Sequence, residues 1–159
     1  MARYRVEQAP ASVRTSPLWQ APRKILLLDF GGRMAAQAGA FRSAAGGVQT
    51  VFANDTATAI AAAADADVII GFNPEVCDPR IINVAMRLRW LASLSAGVEN
   101  CMGLPAVKAR SLMMTNMRGI DAPVIAEHAI AMMFALAREI PADIVYEDEL
   151  ILAFRDVRP

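Results

Sequence analysis

The sequence predicts an α/β protein built on a doubly wound, parallel sheet of five strands. First, apolar runs of strand length alternate with helical patterns from Lys24 onward, and strands joined by helical crossovers form parallel sheets. Second, these runs are almost continuously apolar, as in strands that are covered on both faces. Third, 159 residues with 55% hydrophobic content suit one domain with a sizeable core and exclude a complete two-domain enzyme.

Strand and helix patterns alternate throughout residues 24 to 117. The predicted strands are Ile25–Phe30, Val48–Ala53, Asp67–Phe72, Arg89–Leu94 and Leu112–Asn116. Helices are expected between them, because Asn54-Asp55-Thr56 and Asp78-Pro79 are typical helix starts and Gly46-Gly47 is a typical helix end. Five such units with right-handed connections favour the flavodoxin-like type of doubly wound sheet.

Two segments lie outside this alternation. Residues 1–23 contain three prolines that interrupt helices and strands, so we expect an N-terminal tail or strap. Asp121 and Pro123 open a long helix whose apolar residues cover more than one stripe, so that helix requires partners on more than one side. The predicted parts are therefore the tail at 1–23, an α/β domain at 24–120, and a hinge with helices at 121–159.

Charge and cysteine content exclude several classes of function. Sixteen basic residues balance sixteen acidic ones, so no overall field attracts nucleic acid or an anionic membrane. The longest apolar run, residues 129–137, is far shorter than the roughly 20 residues that cross a bilayer. Cys77 and Cys101 lack metal-site spacing, so we expect reduced, structural thiols with neither a disulfide framework nor a metal site. Because no signal peptide is recognisable either, we expect a soluble, cytoplasmic protein.

Ligands bind to open parallel sheets at the carboxyl ends of the strands. The most suggestive of these ends is Leu94–Asn100, where small residues leave backbone N–H groups accessible to a carboxylate or a phosphate. The alternative is a tight turn between a strand and a helix with no ligand. Gly31-Gly32 lacks the G-x-G-x-x-G pattern and no P-loop occurs, so no nucleotide-binding motif is present. No G-x-S-x-G nucleophile elbow occurs either.

His128 is the only histidine, and it follows Glu127 on the long helix. A general base is one interpretation of this residue. A structural role is the interpretation that we favour, because a single histidine within a helix is more often structural. Met132 and Met133, on the same helix, are expected to pack in a core or an interface.

Three segments together resemble the D-isomer-specific 2-hydroxyacid dehydrogenases. They are Trp90–Asn100, Leu112–Gly119 and Asp121–Pro141, in the family's order and spacing, and Ala126-Glu127-His128 is their most characteristic part. The resemblance covers about residues 24 to 145. It implies a flavodoxin-like substrate-binding domain, a Rossmann domain that binds NAD or NADP, and an active site in the cleft between the two domains.

The resemblance also implies roles for individual residues. The backbone amides of Ala96 and Gly97 would hold the carboxylate of a small 2-oxo or 2-hydroxy acid, and Asn73 would line the same cleft. The helix start near Ile125 would approach the nicotinamide. The outer face of the helix at 121–141 would join a homodimer interface.

The chain departs from the family pattern after this helix. The family's glycine-rich cofactor loop, its ribose-binding acid and its catalytic Arg, Glu and His would all follow Pro159, and His128 matches a structural Glu-His pair instead. We therefore expect no catalytic residue here, and we interpret the chain as the substrate-binding portion of a dehydrogenase, truncated before the cofactor loop and inactive alone. The alternative is a non-enzymatic flavodoxin-like module that binds small carboxylates or a protein partner.

Overall fold

Five strands form one parallel sheet in the order β2-β1-β3-β4-β5. The strands are β1 (Lys24–Leu28), β2 (Gln49–Ala53), β3 (Val68–Ile70), β4 (Trp90–Ala92) and β5 (Met113–Thr115). The computed structural model describes residues 12–71 and 77–140. This strand order is that of a flavodoxin-like doubly wound sheet, so the predicted fold class is confirmed.

Six α-helices occur within the described ranges. They are α1 (Ala38–Ala44), α2 (Thr56–Ala63), α3 (Pro79–Val84), α4 (Glu99–Met102), α5 (Pro105–Lys108) and α6 (Ala122–Ala137). The Asp55 carboxylate caps α2 by accepting a hydrogen bond from the Thr58 N–H at 2.7 Å, and Asp78 caps α3 in the same way. The helix starts predicted from these residues are confirmed, whereas α4 was not predicted as a helix.

The core lies where α2, α3, α4 and α5 pack on the sheet. Its members come from both layers: Leu26, Leu28, Ala53, Ala59, Ala63, Ala66, Ile69, Ile81, Ile82, Ala85, Leu88, Leu91, Cys101 and Val107. Leu27 points to the other face of β1 and is also buried. The interior strand β1 is therefore covered on both faces, as its apolar sequence predicts.

The amino-terminal edge of the sheet is organised around Asp67, which is largely buried. Its carboxylate accepts hydrogen bonds from the backbone N–H groups of Arg23 and Lys24 at 2.8 and 3.0 Å, and from the Arg87 guanidinium at 2.7 Å. Burial raises the pKa of Asp67, but these hydrogen bonds outweigh it and hold the pKa below its ordinary value. One carboxylate thus joins the start of β1 to the start of β3.

Two compact units divide the described chain, and the boundary lies between Arg118 and Gly119. The sheet belongs to the first unit and α6 belongs to the second. No residue of α6 is buried in the structure. No helix among the described residues is long and apolar enough to cross a membrane. Residues 1–11 of the predicted tail and the predicted helical segment beyond residue 140 lie outside the described residues.

Candidate functional site

The turn between β4 and α4 lies at the carboxyl edge of the sheet. The buried Ser93 hydroxyl accepts a hydrogen bond from the Ser95 N–H at 3.1 Å and donates to the Ser95 carbonyl at 3.4 Å. Ala96 is exposed and Gly97 is half-buried. A buried side chain therefore fixes the first residue of the turn, while Ala96, the next residue, is exposed.

Two consecutive backbone amides in this turn remain available to a ligand. In the part of the chain that the structure describes, the N–H groups of Ala96 and Gly97 form no hydrogen bond, whereas the N–H groups of Ser95 and Met117 are both paired. Unpaired backbone amides of this kind can donate hydrogen bonds to the oxygens of a carboxylate or a phosphate. Ala96 and Gly97 are the residues for which a carboxylate-binding role is expected, and that role stays a prediction.

Asn116 joins this turn to the end of β5. Its side-chain Nδ2 donates a hydrogen bond to the carbonyl oxygen of Ala96 at 2.8 Å, and its Oδ1 accepts from the Arg118 N–H at 3.5 Å. The sequence predicts Asn116 only as the last residue of a strand and indicates no role for its side chain. Its position at a strand end was the available signal, but the neighbouring strand had to be known before a contact could be inferred.

Glu99 places a negative charge beside the same turn. A Cβ atom added to Gly97 would lie 3.0 Å from the Glu99 Oε2, so the carboxylate is close to the turn backbone. A nearby like charge opposes the binding of an anion. The turn therefore combines two free donors with one charge that limits the affinity for carboxylates.

Cys77 and Cys101 form a disulfide, with their Cα atoms 5.4 Å apart. The prediction of two separate, reduced thiols is therefore wrong. Cys77 follows β3 and Cys101 lies in α4 after β4, and these two neighbouring strands deliver both segments to the same edge of the sheet. The sequence separation of 24 residues gave no sign of this proximity. The disulfide ties the segment after β3 to the helix that follows the candidate turn.

The other predicted site residues lie outside the unit that contains the sheet or outside the described residues. Asn73 lies outside the described residues. Ile125 lies in the first turn of α6, in the second unit, with 65% of its surface exposed. His128 is also exposed on α6. The roles inferred for Asn73 and Ile125 stay predictions.

The turn that follows β1, at the carboxyl edge of the sheet, is not suited to binding the phosphates of a dinucleotide. After β1, both oxygens of the buried Asp29 carboxylate lie 3.1 Å from the Met34 N–H. A phosphate bound in this turn would need a free N–H group and no negative charge nearby. The Met34 N–H is instead already paired with a carboxylate of the protein. The residues present in this turn do not form a cofactor site.

A family model described as "D-isomer specific 2-hydroxyacid dehydrogenase, catalytic domain" matches residues 33–153. A stretch of 24 residues, 15% of the chain, is 79% identical to part of an uncharacterized HIT-like protein of Synechococcus elongatus, of which it covers 21%. The family match spans most of the chain. The second match is too short to assign a family.

Solved structures share the fold at low sequence identity. A D-isomer specific 2-hydroxyacid dehydrogenase family protein from Aeromonas salmonicida matches 82% of this chain with a TM-score of 0.64 and 22% identity. The apo-structure of D-lactate dehydrogenase from Escherichia coli matches 76% of it with a TM-score of 0.51 and 21% identity. In both cases the matched region is 40% of the solved chain, so this chain spans about two fifths of these proteins.

Proposed function

Because this chain belongs to the D-isomer-specific 2-hydroxyacid dehydrogenase family, we propose that it is the substrate-binding part of an oxidoreductase. The reaction would interconvert D-2-hydroxy acids and 2-oxo acids by hydride transfer. The observation that carries the substrate assignment is that the backbone amides of Ala96 and Gly97 form no hydrogen bond within the described residues. A carboxylate is common to substrate and product in both directions of this reaction, so one anion-binding turn serves both.

The turn would orient the acid and would not transform it. Backbone N–H groups donate hydrogen bonds but transfer no proton at neutral pH, so their contribution is to fix the carboxylate and thereby the position of C2. Asn73, after the neighbouring strand β3, is proposed to line the same cleft. No catalytic residue is assigned to this chain, and we propose that it is inactive when alone.

The nicotinamide cofactor, NAD or NADP, is proposed to be held by a separate cofactor-binding domain. The buried Asp29 carboxylate in the turn that follows β1 supports this proposal, because it disfavours a phosphate there. When bound, the nicotinamide would supply or accept the hydride. The start of α6 near Ile125 is proposed to approach the nicotinamide ring.

A homodimer through α6 is proposed as the assembly, since the exposed apolar side chains of this helix favour association. The cytoplasm is the proposed location. In that reducing compartment a bond between Cys77 and Cys101 would form and break with the redox conditions. Neither nucleic acid nor a membrane is a proposed partner.

Calorimetric titration tests the substrate assignment. We expect pyruvate to bind the chain with a dissociation constant of roughly 1 mM, which corresponds to about −4 kcal/mol. Methyl pyruvate, which has no carboxylate, should not bind. The exposed Ala96 allows a sharp variant: Ala96→Asp adds a negative charge to the turn and should abolish pyruvate binding, whereas Ala57→Asp on the exposed start of α2 should not. Equal binding of pyruvate and its ester would contradict the assignment.

A further inference from the structure

The side chain of Asn116 is held in one orientation at the end of β5. Only its NH₂ group can donate to the Ala96 carbonyl, and only its oxygen can accept from the Arg118 N–H. The hydrogen-bonding groups on its two sides therefore define which atom of the amide faces the turn. The group that faces the turn is the donor.

The bond from Asn116 controls an amide that its side chain does not touch. The Ala96 carbonyl and the Gly97 N–H belong to one planar peptide unit, in which the oxygen and the hydrogen point in opposite directions. Holding the oxygen toward Asn116 at 2.8 Å therefore directs the Gly97 N–H away from β5. The direction of one proposed donor is thus determined by a side chain on the neighbouring strand.

The backbone on both sides of Asn116 is fastened to the strand that carries the turn. The Ser93 N–H donates to the Thr115 carbonyl at 2.8 Å, and the Met117 N–H donates to the Ser95 carbonyl at 3.2 Å. The Trp90 indole N–H also donates to the Thr115 hydroxyl at 3.0 Å. Because these bonds hold the backbone of β4 and β5 together, the Asn116 side chain acts from a fixed base.

We propose that Asn116 is a positioning residue for the acid substrate, and that it acts through the peptide unit between Ala96 and Gly97. This inference rests on the proposed function, since it assumes that the Gly97 amide binds the carboxylate. Asn116 itself contacts neither the acid nor the hydride. It keeps one of the two donors aimed before the acid arrives, so that binding does not have to order the turn.

Two substitutions separate this role from simple packing. Asn116→Ala removes the donor and leaves the peptide unit free to rotate, so the affinity for pyruvate should fall about tenfold. Asn116→Asp keeps the size but, when ionised, places an oxygen against the Ala96 carbonyl and adds a negative charge. Its affinity should fall at least as far near pH 7. A protonated Asp can donate, so binding by this variant should recover toward the wild-type value near pH 4.

The experiment uses the full chain labelled with ¹⁵N-glycine and titrated with pyruvate. The nine glycines give few amide signals, and the Gly97 signal is identified by its loss in Gly97→Ala. The other glycine signals report whether each variant is folded. Asn54→Ala is the control. Asn54 is an exposed asparagine that follows β2, the outermost strand on the side of the sheet away from β5.

The outcomes distinguish this inference from the proposed function. A saturable shift of the Gly97 signal in the unaltered chain, weakened in both Asn116 variants and unchanged in Asn54→Ala, supports both. Wild-type affinity in a folded Asn116→Ala overturns the role of Asn116 and leaves the proposed function intact. The absence of any saturable shift in the unaltered chain overturns the proposed function, and the inference with it.

Discussion

Gly71 follows β3 directly, and its backbone packs tightly against the end of β1. Its φ of 90° lies in the left-handed region, and an added Cβ would be 2.6 Å from the carbonyl oxygen of Leu28. Backbone atoms cannot move aside as a flexible side chain can. The strand order changes direction between β1 and β3, so this contact lies where doubly wound sheets form their ligand crevice.

Gly71→Ala should destabilise the protein strongly. We expect the free energy of unfolding to fall by roughly 2–4 kcal/mol, because unfavourable φ and overpacking contribute together. Gly39→Ala is the matched control. Gly39 lies in α1 with open space around it, so alanine should be neutral or stabilise the protein by up to about 1 kcal/mol. Urea unfolding measures both, and equal stabilities of the two variants would contradict this explanation.

The Asp67 carboxylate should make the stability of the chain depend on acid pH. Its pKa is lower in the folded state than in the unfolded state, so its contribution is complete above the unfolded value of about 3.9 and is lost as the pH falls through the folded value. Asp67→Asn should lower the free energy of unfolding at pH 7 by roughly 1–3 kcal/mol. The substitution replaces one buried carboxylate oxygen by an NH₂ group, which cannot accept the hydrogen bonds that Asp67 receives.

Urea unfolding between pH 3 and pH 7 tests this prediction. The variant should lose less stability than the wild type as the pH is lowered, so that the two curves converge at the acid end. Asp121→Asn is the control, since Asp121 is exposed and its side chain forms no capping hydrogen bond. Parallel curves for Asp67→Asn and the wild type would show that Asp67 does not carry the acid dependence.

At the scale of the elements, local signals predicted the fold better than they predicted the site. Asp55 and Asp78 marked helix starts because a cap acts within three residues along the chain. The helix α4 was missed because Val98, at its N-cap position, has no capping side chain. The strand β3 is shorter than predicted because Gly71 adopts a positive φ directly after it.

The contacts that shape the candidate site join separate β/α units. The Asn116–Ala96 hydrogen bond spans 20 residues and the Cys77–Cys101 bond spans 24. Both become visible only when the order of the strands is known, because they connect elements that are neighbours in the sheet and not in the sequence. The position of the turn was predictable from its small residues, whereas its supports were not.

Reduction of the disulfide should destabilise the unit that contains the sheet. A cross-link that closes a loop of 24 residues stabilises a protein by about 3 kcal/mol, mainly through the unfolded state. Urea unfolding with and without dithiothreitol measures the difference. Cys77→Ala is the control, and its stability should not respond to the reductant. An unchanged midpoint for the wild type under reducing conditions would contradict the prediction.

At the scale of the whole molecule, α6 presents an apolar surface that the described residues do not cover. The exposed side chains on this helix are Val124, Ile125, Ile130, Met132, Met133, Phe134 and Leu136. Patches of this kind are typical of protein interfaces. The same helix provided part of the family resemblance, and its apolar sequence predicted partners on more than one side.

Association through α6 is testable with a matched pair of methionines. Met133 on α6 is 69% exposed and Met86 after α3 is 77% exposed. In sedimentation velocity at micromolar concentration, the wild type and Met86→Glu should both associate, whereas Met133→Glu should be monomeric because it places a charge in the interface. A wild type that stays monomeric, or a Met133→Glu variant that still associates, would refute this assignment.

If this chain supplies the substrate-binding part of a dehydrogenase, as we propose, it should support hydride transfer once a cofactor-binding domain is added. The chain is mixed with a separately expressed cofactor-binding domain of a family member, NADH and pyruvate, and the absorbance of NADH is followed. We predict that NADH is consumed only when both polypeptides and the acid are present, and that Ala96→Asp prevents it. If both polypeptides are folded and bind their ligands but no mixture consumes NADH, the claim is contradicted and a non-enzymatic carboxylate-binding module remains.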